Sequence, residues 1–141
     1  MPGWITALAR ALLVWLLVMV GETFHGILRR ALFSPDVLFA LRQVSVVVGV
    51  LIVFAVTWLC LPWLKLRSPR AALAVGGLWI VLTLAFEVGL GRLAGYGWDR
   101  IFADYDLARG GLMPLGLLAM GLIPWLVQRL QSSPRNLGKT P

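Results

Sequence analysis

The chain has 141 residues, of which 60% are hydrophobic and only 13% are charged, and its mean hydropathy is +0.86. A soluble domain of this size could not bury so much apolar surface, because soluble chains are about half apolar and about a quarter charged. The formal charge of +7 does not indicate a nucleic-acid partner, since the basic residues form no stripe with interleaved aromatic residues.

The first apolar segment runs from about residue 4 to residue 28. A hydrocarbon layer about 30 Å thick needs about 20 apolar residues in a helix, and the strictly apolar centre of this segment is shorter than that. Either the turns from Glu22 to Leu28 also lie inside the membrane, or the segment is the core of a signal peptide. No small-residue cleavage site follows the apolar run, so we expect an uncleaved first helix.

Three further apolar segments predict three more transmembrane helices. They cover about residues 44–64, 71–91 and 110–127. The third predicted helix contains an acidic residue, Glu87. The fourth contains Pro114 and Pro124, which membrane helices tolerate better than soluble helices do.

These segments predict an all-α, polytopic membrane protein. Residues 1–128 are expected to form an up-down bundle of four transmembrane helices. Residues 129–141 form a basic tail rich in Ser, Pro, Asn and Gly, a composition typical of disorder. Cys60 is the single cysteine, so the chain has neither a disulfide framework nor a thiolate metal site.

Basic residues are divided between the two ends of the predicted bundle. The end that carries both termini has Arg10, Lys65, Arg67, Arg70, Arg129, Arg135 and Lys139. The other end has Arg29, Arg30, Arg42, Arg92, Arg100 and Arg109, together with the acidic residues. Counted Lys and Arg residues set the orientation of membrane proteins, and the larger number lies on the cytoplasmic side. We therefore predict a bacterial-type inner-membrane protein with both termini in the cytoplasm.

Charged side chains are predicted to gather at the non-cytoplasmic mouth of the bundle. There the first and third helices end, and the second and fourth begin. Glu22, His25 and Arg29 follow one another at i, i+3 and i+7, which places them along one stripe of the first helix. We predict a ligand-binding or proton-handling cluster at this mouth. Its members are Glu22, His25, Arg29, Arg42, Glu87, Arg92, Asp104, Asp106 and Arg109.

Small and polar residues mark inward faces on the second and third helices. On the second helix, Arg42, Ser45 and Gly49 repeat the same spacing. The third helix has a stripe formed by Ala72, Gly76, Ile80, Thr83, Glu87 and Gly91. Such stripes are expected where the backbones of membrane helices approach closely.

A structural interpretation of the charges is an ion-pair collar that fixes the register of the helices. It pairs Glu22 with Arg42 or Arg29, and Glu87 with Arg92 or Arg109. In that case the protein is an accessory or structural subunit of a larger membrane complex. Its partners are then the lipid bilayer and either another membrane protein or a second copy of the chain.

A functional interpretation is that the charged side chains line a ligand-binding pocket. The arginines could hold a carboxylate or phosphate through paired hydrogen bonds, while the acidic groups and His25 handle protons. This predicts binding or transport of a small anionic or protonatable ligand. A divalent ion on Glu22, His25 and Glu87 is a weaker alternative, because the nearby arginines repel cations. We predict no cofactor, and the sequence has no nucleophile elbow or phosphate loop that would indicate an enzyme.

Overall fold

A computed structural model describes residues 3–133, except for the side chains at positions 35, 36, 38–40 and 42. This part of the chain contains helices and their connections but no strand, which confirms the predicted all-α class. In chain order the elements are α1 (Gly3–Leu32), α2 (Pro35–Leu64), α3 (Pro69–Leu93), α4 (Trp98–Ala103), a 3₁₀ turn (Leu107–Arg109) and α5 (Met113–Ser132).

Four of these helices, α1, α2, α3 and α5, are long and apolar enough to cross a membrane. Large apolar side chains cover the outside of the bundle, for example Leu13, Val20 and Phe24 on α1. Exposure of such a large apolar surface to water is unfavourable, whereas lipid tails solvate it. The chain is therefore a membrane protein with four spanning helices.

The first connection is much shorter than the sequence pattern suggested. Helix α1 continues to Leu32, and α2 already begins at Pro35 instead of near residue 44. Ser34 is extended, with ψ of 157°, because a residue before proline avoids the helical region. Proline fits the first position of a helix, where its missing N–H costs nothing. Residues 36–43 therefore extend α2 instead of forming a loop.

Helix α5 is shifted towards the C-terminus relative to its predicted range. It begins at Met113, after Gly110 has turned the chain with a φ of +82°. It continues to Ser132, so residues 129–132 of the predicted tail are helical. The remainder of that tail, residues 134–141, lies outside the described residues.

Helix α5 packs closely against both α3 and α2, and α1 packs against α2. The contact between α3 and α5 is centred on two glycines. A Cβ atom on Gly76 would collide with the carbonyl oxygen of Gly121, and one on Gly121 would collide with Cδ1 of Ile80. The closest approach of these two helices therefore requires glycine at position 76, whereas at position 121 the Ile80 side chain could move aside.

Two tryptophans connect α1 to α3. Trp79 of α3 is fully buried, and its Nε1 donates a hydrogen bond to the backbone oxygen of Ala11 at 3.0 Å. Trp15 of α1 donates from Nε1 to Oγ1 of Thr83, also at 3.0 Å. Each indole group thus fills space between the helices and also supplies a hydrogen bond, which an aliphatic side chain could not do.

The termini-bearing end of the bundle is closed by packed side chains. Leu61, Leu64 and Val127 are buried there. Gln128 is also buried, and its Nε2 donates to the backbone oxygen of Leu66 at 3.4 Å.

The long connection between α3 and α5 is ordered and lies over the opposite end. Gly95, with a φ of +79°, reverses the chain after α3. Ile101 of α4 is then buried against Gly91, where a Cβ atom would lie 3.1 Å from Cγ1 of Ile101. The backbone oxygen of Asp104 accepts a hydrogen bond from the N–H of Met113 at 3.2 Å, which fixes this connection to the start of α5.

Candidate functional site

A cavity of about 350 Å³ lies among the four long helices, towards the end where α1 and α3 finish. Side chains from α1, α2, α3 and α5 and from the α4–α5 connection all line it. Its polar lining consists of Glu22, His25, Arg29, Arg30, Ser45, Thr83, Glu87 and Asp104. The walls also include apolar side chains such as Val50, Val53 and Leu117. The volume is in the range of pockets that take small molecules.

The carboxylate of Glu22 lies against the bare backbone of α2. A Cβ atom on Gly49 would be 3.0 Å from Oε2 of Glu22, so glycine makes room for the carboxylate there. The same oxygen is 4.0 Å from Nδ1 of His25. Oε1 of Glu22 is buried and has no hydrogen-bond partner within residues 3–133. The carboxylate therefore keeps unused capacity to accept hydrogen bonds.

Ser45 connects the basic side chains of α1 to α2. Its Oγ accepts a hydrogen bond from Nη1 of Arg29 at 2.8 Å and lies 3.3 Å from Nε2 of His25. Because this oxygen already accepts from a guanidinium group, its own hydrogen is available for Nε2. Ser45 can therefore either donate to Nε2 of His25 or accept from it, according to the His25 tautomer.

Glu87 and Asp104 bring two more carboxylates to the cavity, from α3 and from the segment after α4. Tyr105 lies near both of them and is half-buried, and its hydroxyl has no hydrogen-bond partner in the described part of the chain. Burial, and then the negative charges of Glu87 and Asp104, raise the pKa of Tyr105 above its ordinary value. Its phenol therefore stays protonated at neutral pH and remains a hydrogen-bond donor.

The structure brings five of the nine predicted site residues together at the cavity. These are Glu22, His25, Arg29, Glu87 and Asp104. They come from α1, α3 and the α4–α5 connection, so the two intramembrane glutamates face a common space. The side chain of Arg42 lies outside the described residues.

Three predicted site residues lie away from the cavity. Arg109 is exposed and pairs with Asp106, with Nε and Oδ2 3.4 Å apart, while Asp106 also accepts from the N–H of Ala108. Cζ of Arg92 lies 4.9 Å from the ring centroid of Trp98. Arg92 and Arg109, both expected to pair with Glu87, thus contact residues of the connection between α3 and α5 instead.

Several lining residues were not among the predicted site residues. Ser45 shares the stripe of Arg42 and Gly49, so the i, i+3 spacing was a signal for it. Thr83 lies one turn before Glu87 on α3 and could have been found in the same way. Arg30 lines the mouth although it is exposed, and nothing in the sequence distinguished its role from that of Arg29.

Within residues 3–133, no three His, Cys, Asp or Glu side chains are close enough together to hold a metal ion. Glu22, His25 and Glu87 therefore do not form the divalent site considered from the sequence. Neither family models, nor curated proteins, nor solved structures give a match to this chain. Its functional interpretation depends on the cavity itself.

Proposed function

We propose that this protein binds a small, protonatable ligand in the cavity at the non-cytoplasmic mouth of the bundle. The observation that carries the proposal is the convergence of three carboxylates, two guanidinium groups and one imidazole on one cavity of an otherwise apolar bundle. Glu22, His25 and Arg29 are half-buried, and Arg30, Glu87 and Asp104 are exposed at its opening. A charged side chain costs about 2.5–3.5 kcal/mol at the centre of a membrane helix. Glu22 and Arg29 lie on the spanning helix α1, and each keeps one buried polar atom without a partner in residues 3–133.

The hydrogen bonds of the cavity support a ligand that carries both a donor and an acceptor. Oε1 of Glu22 is a buried acceptor, and Nε of Arg29 is a buried donor. Neither has a hydrogen-bond partner in the described residues. Unsatisfied buried polar atoms are costly, so a partner is needed for each. A ligand with a protonated nitrogen and an acidic group can supply both, whereas a simple anion would face the repulsion of three carboxylates.

We expect Glu22→Gln and Glu87→Gln proteins to fold normally but to bind such a ligand at least about tenfold more weakly, a loss of about 1.4 kcal/mol. The purified proteins would be titrated with phosphoethanolamine, inorganic phosphate and ethylamine, with the shift in thermal stability and native mass spectrometry as readouts. Phosphoethanolamine, which has both charges, is expected to give the largest shift.

Asp99→Asn is the matched control, because Asp99 is an exposed carboxylate of α4 that does not line the cavity. It should bind the probes as the unchanged protein does. If the glutamine variants lose thermal stability but bind like the control, the carboxylates are structural and the proposal is wrong. In that case an accessory subunit would be the better description.

The orientation we propose places both termini in the cytoplasm. Cys60 is the single cysteine, so a Cys60→Ser protein allows one cysteine to be introduced at a chosen position. With a membrane-impermeant maleimide and intact spheroplasts, Asp99→Cys should be labelled and Ser133→Cys should be labelled only after lysis. The reverse pattern would place the cavity mouth on the cytoplasmic side.

A further inference from the structure

All three methionines beyond the first residue line the same cavity. They come from opposite ends of the sequence, Met19 from α1 and both Met113 and Met120 from α5. His25, the single histidine of the chain, lines the cavity as well. The cavity thus holds thioether and imidazole groups in addition to the carboxylates at its mouth.

Two of the sulfur atoms meet at one hydroxyl group on the cavity floor. Oγ1 of Thr83 lies 3.3 Å from Sδ of Met120 and 3.8 Å from Sδ of Met19. Both methionines are more than nine-tenths buried, at 6% and 8% exposure. Trp15 donates to the same Oγ1, so the hydroxyl hydrogen is directed towards the sulfurs. Thr83 therefore contacts thioethers from two different helices.

The chemistry of this floor suits a soft cation. Thioethers are polarizable ligands that select ions such as Cu(I), whereas Mg²⁺ and Ca²⁺ require oxygen ligands. Val50, Val53 and Leu117 line the cavity with apolar surface. A low-polarity wall penalises a divalent ion much more than a weakly hydrated monovalent one. Arg29 and Arg30 also line the cavity and repel cations, so the site depends on its thioether ligands and not on electrostatic attraction.

We propose that Met19 and Met120 form the floor of a binding site for a soft monovalent cation of the Cu(I) class. Met113 and His25 line the same cavity. Methionine often fills irregular gaps in apolar cores, which would account for any one of these residues. Leucine would fill such gaps equally well, however. Packing alone does not require that two methionine sulfurs contact the Thr83 hydroxyl, or that all three methionine side chains line one cavity.

Ag(I) is a suitable probe because it shares the ligand preference of Cu(I) and needs no reductant. The measurement uses the detergent-purified Cys60→Ser protein, since the half-buried thiol would itself bind silver. We expect about one Ag(I) per chain after gel filtration, by elemental mass spectrometry, and no retention of Zn(II). Absence of silver above background would overturn the proposal.

The paired change Met19→Leu with Met120→Leu is expected to weaken Ag(I) binding at least about tenfold. Leucine nearly conserves the volume of methionine, so the thermal stability should change little. Silver retention equal to that of the Cys60→Ser protein would contradict the assignment. X-ray absorption at the silver edge of the Cys60→Ser protein tests the ligands directly, without a change in the core. It should show sulfur ligands. Purely oxygen or nitrogen ligands would contradict the proposal.

This inference is independent of the ligand proposed for the mouth. The Glu22→Gln and Glu87→Gln proteins should retain Ag(I) at saturating concentration while losing phosphoethanolamine. The methionine variant should show the opposite pattern. Loss of silver in the glutamine proteins would contradict the thioether floor, and unchanged phosphoethanolamine binding in them would contradict only the proposed function.

Discussion

Replacing Gly76 by leucine is expected to prevent α3 and α5 from packing, whereas the same change at Gly77 should leave the bundle intact. A side chain on Gly76 would meet the backbone of Gly121, which cannot move aside as a flexible side chain can. Overpacking in a core typically costs about 1–3 kcal/mol, and a collision with a helix backbone belongs at or above the upper end of that range.

The membrane environment makes this effect larger than it would be in a soluble bundle. Lipid tails are as apolar as leucine, so no hydrophobic force drives the helices together, and close van der Waals contact must do so. Separating α3 from α5 also displaces the helix that packs on α2. We therefore expect the Gly76→Leu protein to give low yields in detergent, or a melting temperature lowered by several degrees.

Gly77 is the neighbouring position in the same helix and has nothing within 4 Å of an added Cβ atom. Gly77→Leu therefore controls for helix propensity and hydrophobicity without the collision. Equal melting temperatures for the two variants would show that the glycine contact is not what holds α3 against α5. Gly76→Ala should fall between them, since one methyl group already reaches the carbonyl oxygen.

Trp79→Ala is expected to destabilise the bundle by about 3–5 kcal/mol, the usual cost of truncating a buried aromatic side chain. Trp79 is fully buried, and its indole fills the space between α3 and α1. Trp79→Phe should cost less, because it keeps most of the ring. It still loses the hydrogen bond to the Ala11 oxygen, which is worth about 0.5–1.5 kcal/mol.

The measurement is thermal or denaturant unfolding of the purified proteins, with Trp4→Ala as the control. Trp4 is 67% exposed, so its truncation leaves no internal cavity. The expected order of stability is unchanged protein and control first, then Trp79→Phe, then Trp79→Ala. If the Trp79→Ala protein had the same melting temperature as the Trp4→Ala control, the Trp79 indole could not be what joins α1 to α3.

Both predictions concern contacts that also shape the cavity. Thr83 lies one turn beyond Trp79 on α3 and accepts from Trp15 of α1. The same helix carries Glu87 one turn further, at the mouth. Spreading α1 from α3 would therefore move the thioether floor and the carboxylates together. We expect both the Gly76→Leu and Trp79→Ala proteins to lose ligand binding along with stability.

Local periodicity was sufficient to predict the spanning helices and part of the site. Glu22, His25 and Arg29 share a face of α1 because the period of a helix is a local property. The small residues of α3 predicted its inward face, and Ala72, Gly76 and Thr83 are indeed buried. The start of α2 was missed because residues 35–43 were assigned to a connection, although Ser34 and Pro35 carry a helix-start signal.

Local periodicity could not predict which groups the charged side chains contact. Arg92 and Arg109 fit the predicted topology as partners of Glu87, yet they contact Trp98 and Asp106 instead. A long, flexible side chain at a helix end can reach several groups, and the fold of the connection decides among them. That fold depends on turns at Gly95 and Gly110, whose backbone conformations the sequence pattern did not reveal.

The sequence by itself determined that the chain crosses a membrane four times, because the lipid core dictates the length and apolarity of each span. Only the tertiary structure decided that α5 packs against both α2 and α3, and that Met19, Thr83 and Met120 meet below the carboxylates. These contacts depend on how closely two helix surfaces fit, at positions about 40 to 100 residues apart in the chain. Helical periodicity carries no information about such distant pairs.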